Sequence, residues 1–90
     1  MYDIAYHQKV VSEDIPSLDG FACRVIERAI EAKLREHPEW HSVPLRQSLR
    51  GYRKLRVGDY RVIFRIAGAQ VRILIIGHRS WVYQRAGKRF

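Results

Sequence analysis

Ninety residues, 47% hydrophobic and 29% charged, suit one globular domain, 1–90, with a single modest core. No apolar run reaches the roughly 18 residues of a membrane-spanning helix, and the N-terminus has no basic head followed by an apolar stretch of the kind that directs secretion. With Cys23 as the one cysteine, no internal disulfide can form, so a cytoplasmic protein without a membrane partner is expected. The net charge of +8 is divided unevenly: residues 1–43 carry five basic and eight acidic side chains, residues 44–90 twelve basic ones against Asp59 alone. That asymmetry points to a polyanionic partner for the C-terminal half.

In chain order, the alternation in "YDIAYH" predicts a strand over Tyr2–His7. "QKVVSEDI" reads as a short helical piece ending near Pro16. A long helix follows, with Asp19 as N-cap and Pro38 as its stop. Its expected core stripe is Phe21, Val25, Ala29 and Leu34, flanked by Ile26 and Ile30. "HPEWHSVPLRQ" reads as a loop that Trp40 anchors on the core. The second half reads as three strands, Tyr52–Val57, Tyr60–Ile66 and Val71–Gly77. Gly58-Asp59 makes a two-residue turn and residues 67–70 a four-residue loop. Helices followed by strands indicate an α+β fold: two N-terminal helices on one face of a small antiparallel sheet, in the order β-α-α-β-β-β.

The turns fix a register. Arg56 falls opposite Arg61, Arg65 opposite Arg72, and Leu55 opposite Val62. Alternation then puts Leu55, Val57, Tyr60, Val62, Phe64, Ile66, Val71, Ile73 and Ile75 on the core face. The other face holds Tyr52, Lys54, Arg56, Arg61, Ile63, Arg65, Arg72, Leu74 and Ile76. Like charges directly opposite each other destabilise a sheet by roughly a few tenths of a kcal/mol, so the pairing implies an anion that completes the face. Arginine forks match phosphate oxygens, and Tyr52, Tyr83 and Trp81 offer rings for stacking, which suits single-stranded RNA. Fixed cations would also stabilise the charge that builds on phosphorus when a 2′-hydroxyl attacks it. No Asp, Glu or His lies on that face, which makes Lys54 the candidate base.

"LRGYRKLRVGDYRVIFRI" followed by "VRILIIGHRSWVY" resembles the RelE-type toxins of the RelE/ParE toxin–antitoxin superfamily, over essentially the whole chain. The resemblance implies a RelE-like fold and a metal-independent endoribonuclease that cuts mRNA at the ribosome and is silenced by an acidic antitoxin. It also implies catalytic roles for Lys54 as base, Arg61 on the phosphate, Arg79 near the leaving group and Tyr83 in orienting the substrate. Arg56 is an auxiliary phosphate contact, and Tyr52, Arg65, Arg72 and His78 are further RNA-binding candidates. Tyr52 stands where well-known members carry a second lysine, leaving Lys54 to serve alone. Two alternatives stay open: a ParE-like inhibitor of DNA gyrase, and a nucleic-acid-binding module of the same fold with weakened catalysis. No cofactor is expected, and no metal at His37 and His41, because Pro38 breaks the helix that would align them.

Overall fold

A computed structural model describes residues 1–89; Phe90, the end of the tail, lies outside them. Strands β1 (Asp3–Tyr6), β2 (Val43–Pro44), β3 (Arg53–Val57), β4 (Tyr60–Ala67) and β5 (Gln70–His78) form one sheet in the order β1-β5-β4-β3-β2. β1 runs parallel to β5 and the other neighbours are antiparallel, so the sheet is mixed rather than purely antiparallel. The helical crossover between β1 and the hairpin permits that parallel pairing.

After β1 the chain forms a π-helical turn, Val10–Asp14, that runs into α1 (Ile15–Ser17). In an α-helix the Pro16 ring would collide with the Ser12 carbonyl. The wider turn avoids this, with Ile15 N–H donating to Val10 O, and it carries Asp14 into the interior. α2 (Gly20–Leu34) starts where the Asp19 side chain accepts from Ala22 N at 2.8 Å. At its far end, Arg35 O accepts from Tyr2 N at 2.7 Å, tying the helix terminus to the start of β1. The buried row is Ala22, Ile26, Ile30 and Leu34. The stripe is therefore rotated from the sequence reading: Phe21 is 72% exposed and Val25 40%. A row at i, i+4, i+8 and i+12 brings both isoleucines onto the sheet, and small Ala22 lets the helix start approach closely. Trp40 is also exposed, stacked on His37 with ring centroids 3.7 Å apart, and does not anchor its loop on the core.

The hairpin register matches the expectation, with Arg56 opposite Arg61 and Leu55 opposite Val62. Gly58, at φ 59°, takes the first position of its turn, where glycine is favoured. The second connection is tighter than expected. Ala67 pairs with Gln70, leaving a two-residue turn, while Arg65 still faces Arg72. A bulge follows, because Phe64 pairs with Ile73 but Ile63 with Ile75, so Leu74 has no partner. It reverses the faces of the next two residues: Ile76 joins the core under the helices and Ile75 the opposite face.

That opposite face is not open. α3 (Val82–Ala86) folds back over it, and Val82 and Ala86 pack on Ile63, Leu74 and Ile75 with Leu49 beside them. A second, smaller core results. The chain is held there by Arg89, whose Nη1 and Nη2 donate to the two carboxylate oxygens of buried Asp14 at 2.6 and 3.0 Å. Beyond β1 the edge of β5 has no neighbouring strand, and this pair replaces one. Asp14 Oδ2 accepts from Ile76 N at 3.0 Å, and Leu74 O accepts from Arg89 Nη1 at 3.2 Å.

Candidate nucleic-acid interface

Three strands bring cations to the end of the sheet at the Gly58-Asp59 turn. Arg56 and Arg61 are cross-strand neighbours on the face away from α2, and Lys54 lies two residues before Arg56 on the same face. Arg79 leaves β5 beside the turn: its backbone N–H donates to Asp59 O at 2.9 Å, and its Nε lies 3.8 Å from an Asp59 carboxylate oxygen. Both side chains of that ion pair are well exposed, so it adds little to stability.

Arg61 is the most enclosed of the group, 9% exposed. Its Nη1 donates to Gly58 O and to Tyr60 O, both at 2.9 Å. The turn carbonyls thus fix the guanidinium in one orientation. Its partner across β4 and β5 is Gly77, and there the indole of Trp81 lies so close that a Cβ on Gly77 would overlap its Cη2. The Arg85 guanidinium lies over the same indole, 4.1 Å from the ring centroid. Gly77→Ala is expected to swing Trp81 outward at a cost of about 1–3 kcal/mol. Urea unfolding, with a red shift in tryptophan emission, checks this.

Lys54 is half-buried, with its Nζ 5.4 Å from the ring centroid of Tyr83 on α3. The four candidate catalytic residues therefore form two contact groups: Lys54 under Tyr83, and Arg61 with Arg79 around the turn. Arg56 joins the second. His78 is separated from them, because it pairs with Tyr60 and sets its ring edge-on to that residue, on the α2 side of the sheet. Its Nδ1 accepts from Ser80 N at 3.1 Å, which leaves Nε2 to carry the ring hydrogen. Tyr52, Arg65 and Arg72 gather at the far end of the basic face, beyond the apolar patch that α3 covers.

Among the described residues, no group of three His, Cys, Asp or Glu side chains is placed to hold a metal ion. The sequence reading missed the Asp14–Arg89 pair, which joins residues 75 positions apart and leaves no local signal. It also missed the seat of Trp81, for which a glycine inside a strand was the available sign.

The family model describing the ParE toxin of the parDE type II toxin–antitoxin system matches residues 19–83. The chain belongs to the ParE toxin family. No curated protein matches it in sequence. Among solved structures, the RelBE2 toxin–antitoxin complex of Mycobacterium tuberculosis is similar, at 26% identity and TM-score 0.80, over 87% of this chain and 98% of that one. YafQ from Escherichia coli BL21(DE3) is 21% identical with TM-score 0.56, over 89% and 96% of the two chains. The YoeB–YefM complex of Staphylococcus aureus is 12% identical with TM-score 0.61, over 88% and 98%. These last two share the fold. The chain is thus a type II toxin of the RelE/ParE superfamily, and among the described residues no helix is long and apolar enough to cross a membrane.

Proposed function

We propose that this toxin is an endoribonuclease that cleaves mRNA at the ribosome. Lys54 takes the proton of a 2′-hydroxyl, whose oxygen attacks the adjacent phosphorus. The P–O5′ bond breaks, leaving a 2′,3′-cyclic phosphate and a 5′-oxygen that takes a proton from water to become a hydroxyl, while the Lys54 ammonium returns its proton to solvent. Arg61 and Arg56 stabilise the charge on the phosphoryl oxygens, Arg79 the developing charge on the departing oxygen, and Tyr83 orients the strand over Lys54. The carrying observation is the cation cluster at the hairpin end, built from β3, β4 and the exit of β5, with Asp59 paired to Arg79 beside it. A guanidinium fixed by two turn carbonyls is pre-oriented for a phosphate and needs no reorganisation when charge develops. The partner antitoxin is then an acidic chain that neutralises this face.

A second reading, inhibition of DNA gyrase, draws on the ParE family match. One bacterial extract decides between them when the purified toxin is added and both reporter mRNA length and plasmid supercoiling are followed. Broken mRNA with supercoiling intact supports the ribonuclease. The reverse pattern supports gyrase inhibition. Loss of neither, with no growth arrest in cells, leaves a binding module.

A further inference from the structure

Gly77 lies opposite Arg61 across β4 and β5, on the face away from α2. A side chain at 77 would stand beside the Arg61 stem, since directly opposite residues carry their Cβ atoms roughly 4.5–5.5 Å apart. The Trp81 indole occupies that place instead. A Cβ at 77 would lie 2.6 Å from both Cζ2 and Cζ3, with Cη2 between them, so the ring covers Gly77 with its face. Backbone bonds fix the indole's base: Trp81 N donates to His78 O at 3.1 Å, and Trp81 O accepts from Arg85 N at 3.2 Å. The Arg85 guanidinium over the ring adds a further contact.

We propose that Trp81 is a positioning residue for Arg61. Its indole is the wall that stops the guanidinium from leaning over Gly77 and keeps one edge of it turned to the phosphate. The turn carbonyls hold a single nitrogen, Nη1, while among the described residues Nε and Nη2 donate to no protein group. Those two N–H groups form the edge that grips a phosphate bidentately. One anchored nitrogen still lets the planar group pivot. Arg56, directly opposite on β3, repels Arg61 toward β5, and glycine at 77 offers no side chain to resist. The indole supplies the missing stop. Its bulk fits the enclosure of Arg61, 9% exposed, while Arg56 beside it is exposed. The kinetic part of the inference rests on the ribonuclease reading; the hold on Arg61 does not. Trp81 thereby acts through Arg61 and not as a platform for a base.

The test compares the intact toxin with Trp81→Ala, which empties the space over Gly77, and Trp81→Phe, which keeps a ring in it. Arg61 is followed through its Nε–H resonance, identified by its loss in Arg61→Lys. A sharp, slowly exchanging signal is expected in the wild type. Trp81→Ala should broaden it and speed its exchange with water. The same variant should lower kcat for mRNA cleavage about 10- to 100-fold, the scale for a misplaced group, with KM nearly unchanged. Trp81→Phe should restore most of both. Should Trp81→Ala fail to fold, Gly77→Ala, which pushes the indole aside without removing it, is expected to give the same two changes. An Arg61 signal that is unaltered in the folded variant overturns the proposal and leaves Trp81 as an anchor of α3. An altered signal with undiminished kcat overturns it too. If folded wild-type toxin cleaves no mRNA, the ribonuclease reading fails, and the Arg61 signal alone decides whether Trp81 is its wall.

Discussion

Replacing Asp14 by Ala is expected to destabilise the protein by about 3–5 kcal/mol, the usual cost of stranding one member of a buried ion pair. Arg89 would be left enclosed with only the half-exposed Glu13 carboxylate 3.9 Å away, and Ile76 N would lose its acceptor. Arg89→Ala should cost a similar amount, because buried Asp14 would lose its cation and keep only the Ile76 N–H, and the Leu74 carbonyl would lose the Arg89 donor. For a domain of this size the loss corresponds to a Tm fall of more than about 10 °C. The effect reaches function through α3. Once the tail is released, Val82 and Ala86 no longer cover Ile63, Leu74 and Ile75, and Tyr83 no longer lies over Lys54. Urea denaturation of Asp14→Ala, Arg89→Ala and the double variant measures this. Single-variant losses below about 1 kcal/mol would mean that the tail is held by its apolar contacts alone.

The second large effect is expected at Arg61. Arg61→Ala removes a fixed cation from the reacting phosphate and should lower cleavage by about 10²–10³-fold, the scale for one pre-oriented donor. It also removes the Arg61 hydrogen bonds to Gly58 O and Tyr60 O, a cost of about 1–3 kcal/mol. Arg61→Lys separates the two contributions. It keeps the charge but lacks the planar fork that can hold the turn and face the phosphate together. Lysine is therefore expected to fold near wild type and still lose most cleavage. Circular dichroism and cleavage rates on the same samples check this, and a fully active lysine variant would remove Arg61 from the phosphate.

Much of the basic face was legible in the sequence because turns set register. Gly58-Asp59 places Arg56 against Arg61, and the loop read at 67–70 places Arg65 against Arg72, as observed, although the loop itself closes to two residues. Parity failed at "ILII", residues 73–76, where every position is apolar and no alternation marks the bulge at Leu74. That failure exchanged the faces of Ile75 and Ile76. In α2 two adjacent apolar rows compete, and only packing on the sheet selects the isoleucine row over Phe21 and Val25. The cover of α3 over the second face depends on Asp14 and Arg89, a contact across nearly the whole chain. Arg61 was readable as a basic-face residue, but its enclosure against the turn carbonyls was not, since the sequence carries no sign of where a long side chain ends. Tyr83 lay past the last predicted strand, where no periodicity reached it, and only the family resemblance placed it at the site.

Primer extension on a reporter mRNA in a translating extract, with wild-type toxin and Arg61→Lys in parallel, separates ribosome-dependent cleavage from gyrase inhibition. New ends inside the reading frame are expected with wild type, absent when translation is blocked and strongly reduced with the folded lysine variant. Intact mRNA with folded wild-type toxin, under conditions where plasmid supercoiling is lost, would contradict cleavage and establish the gyrase reading.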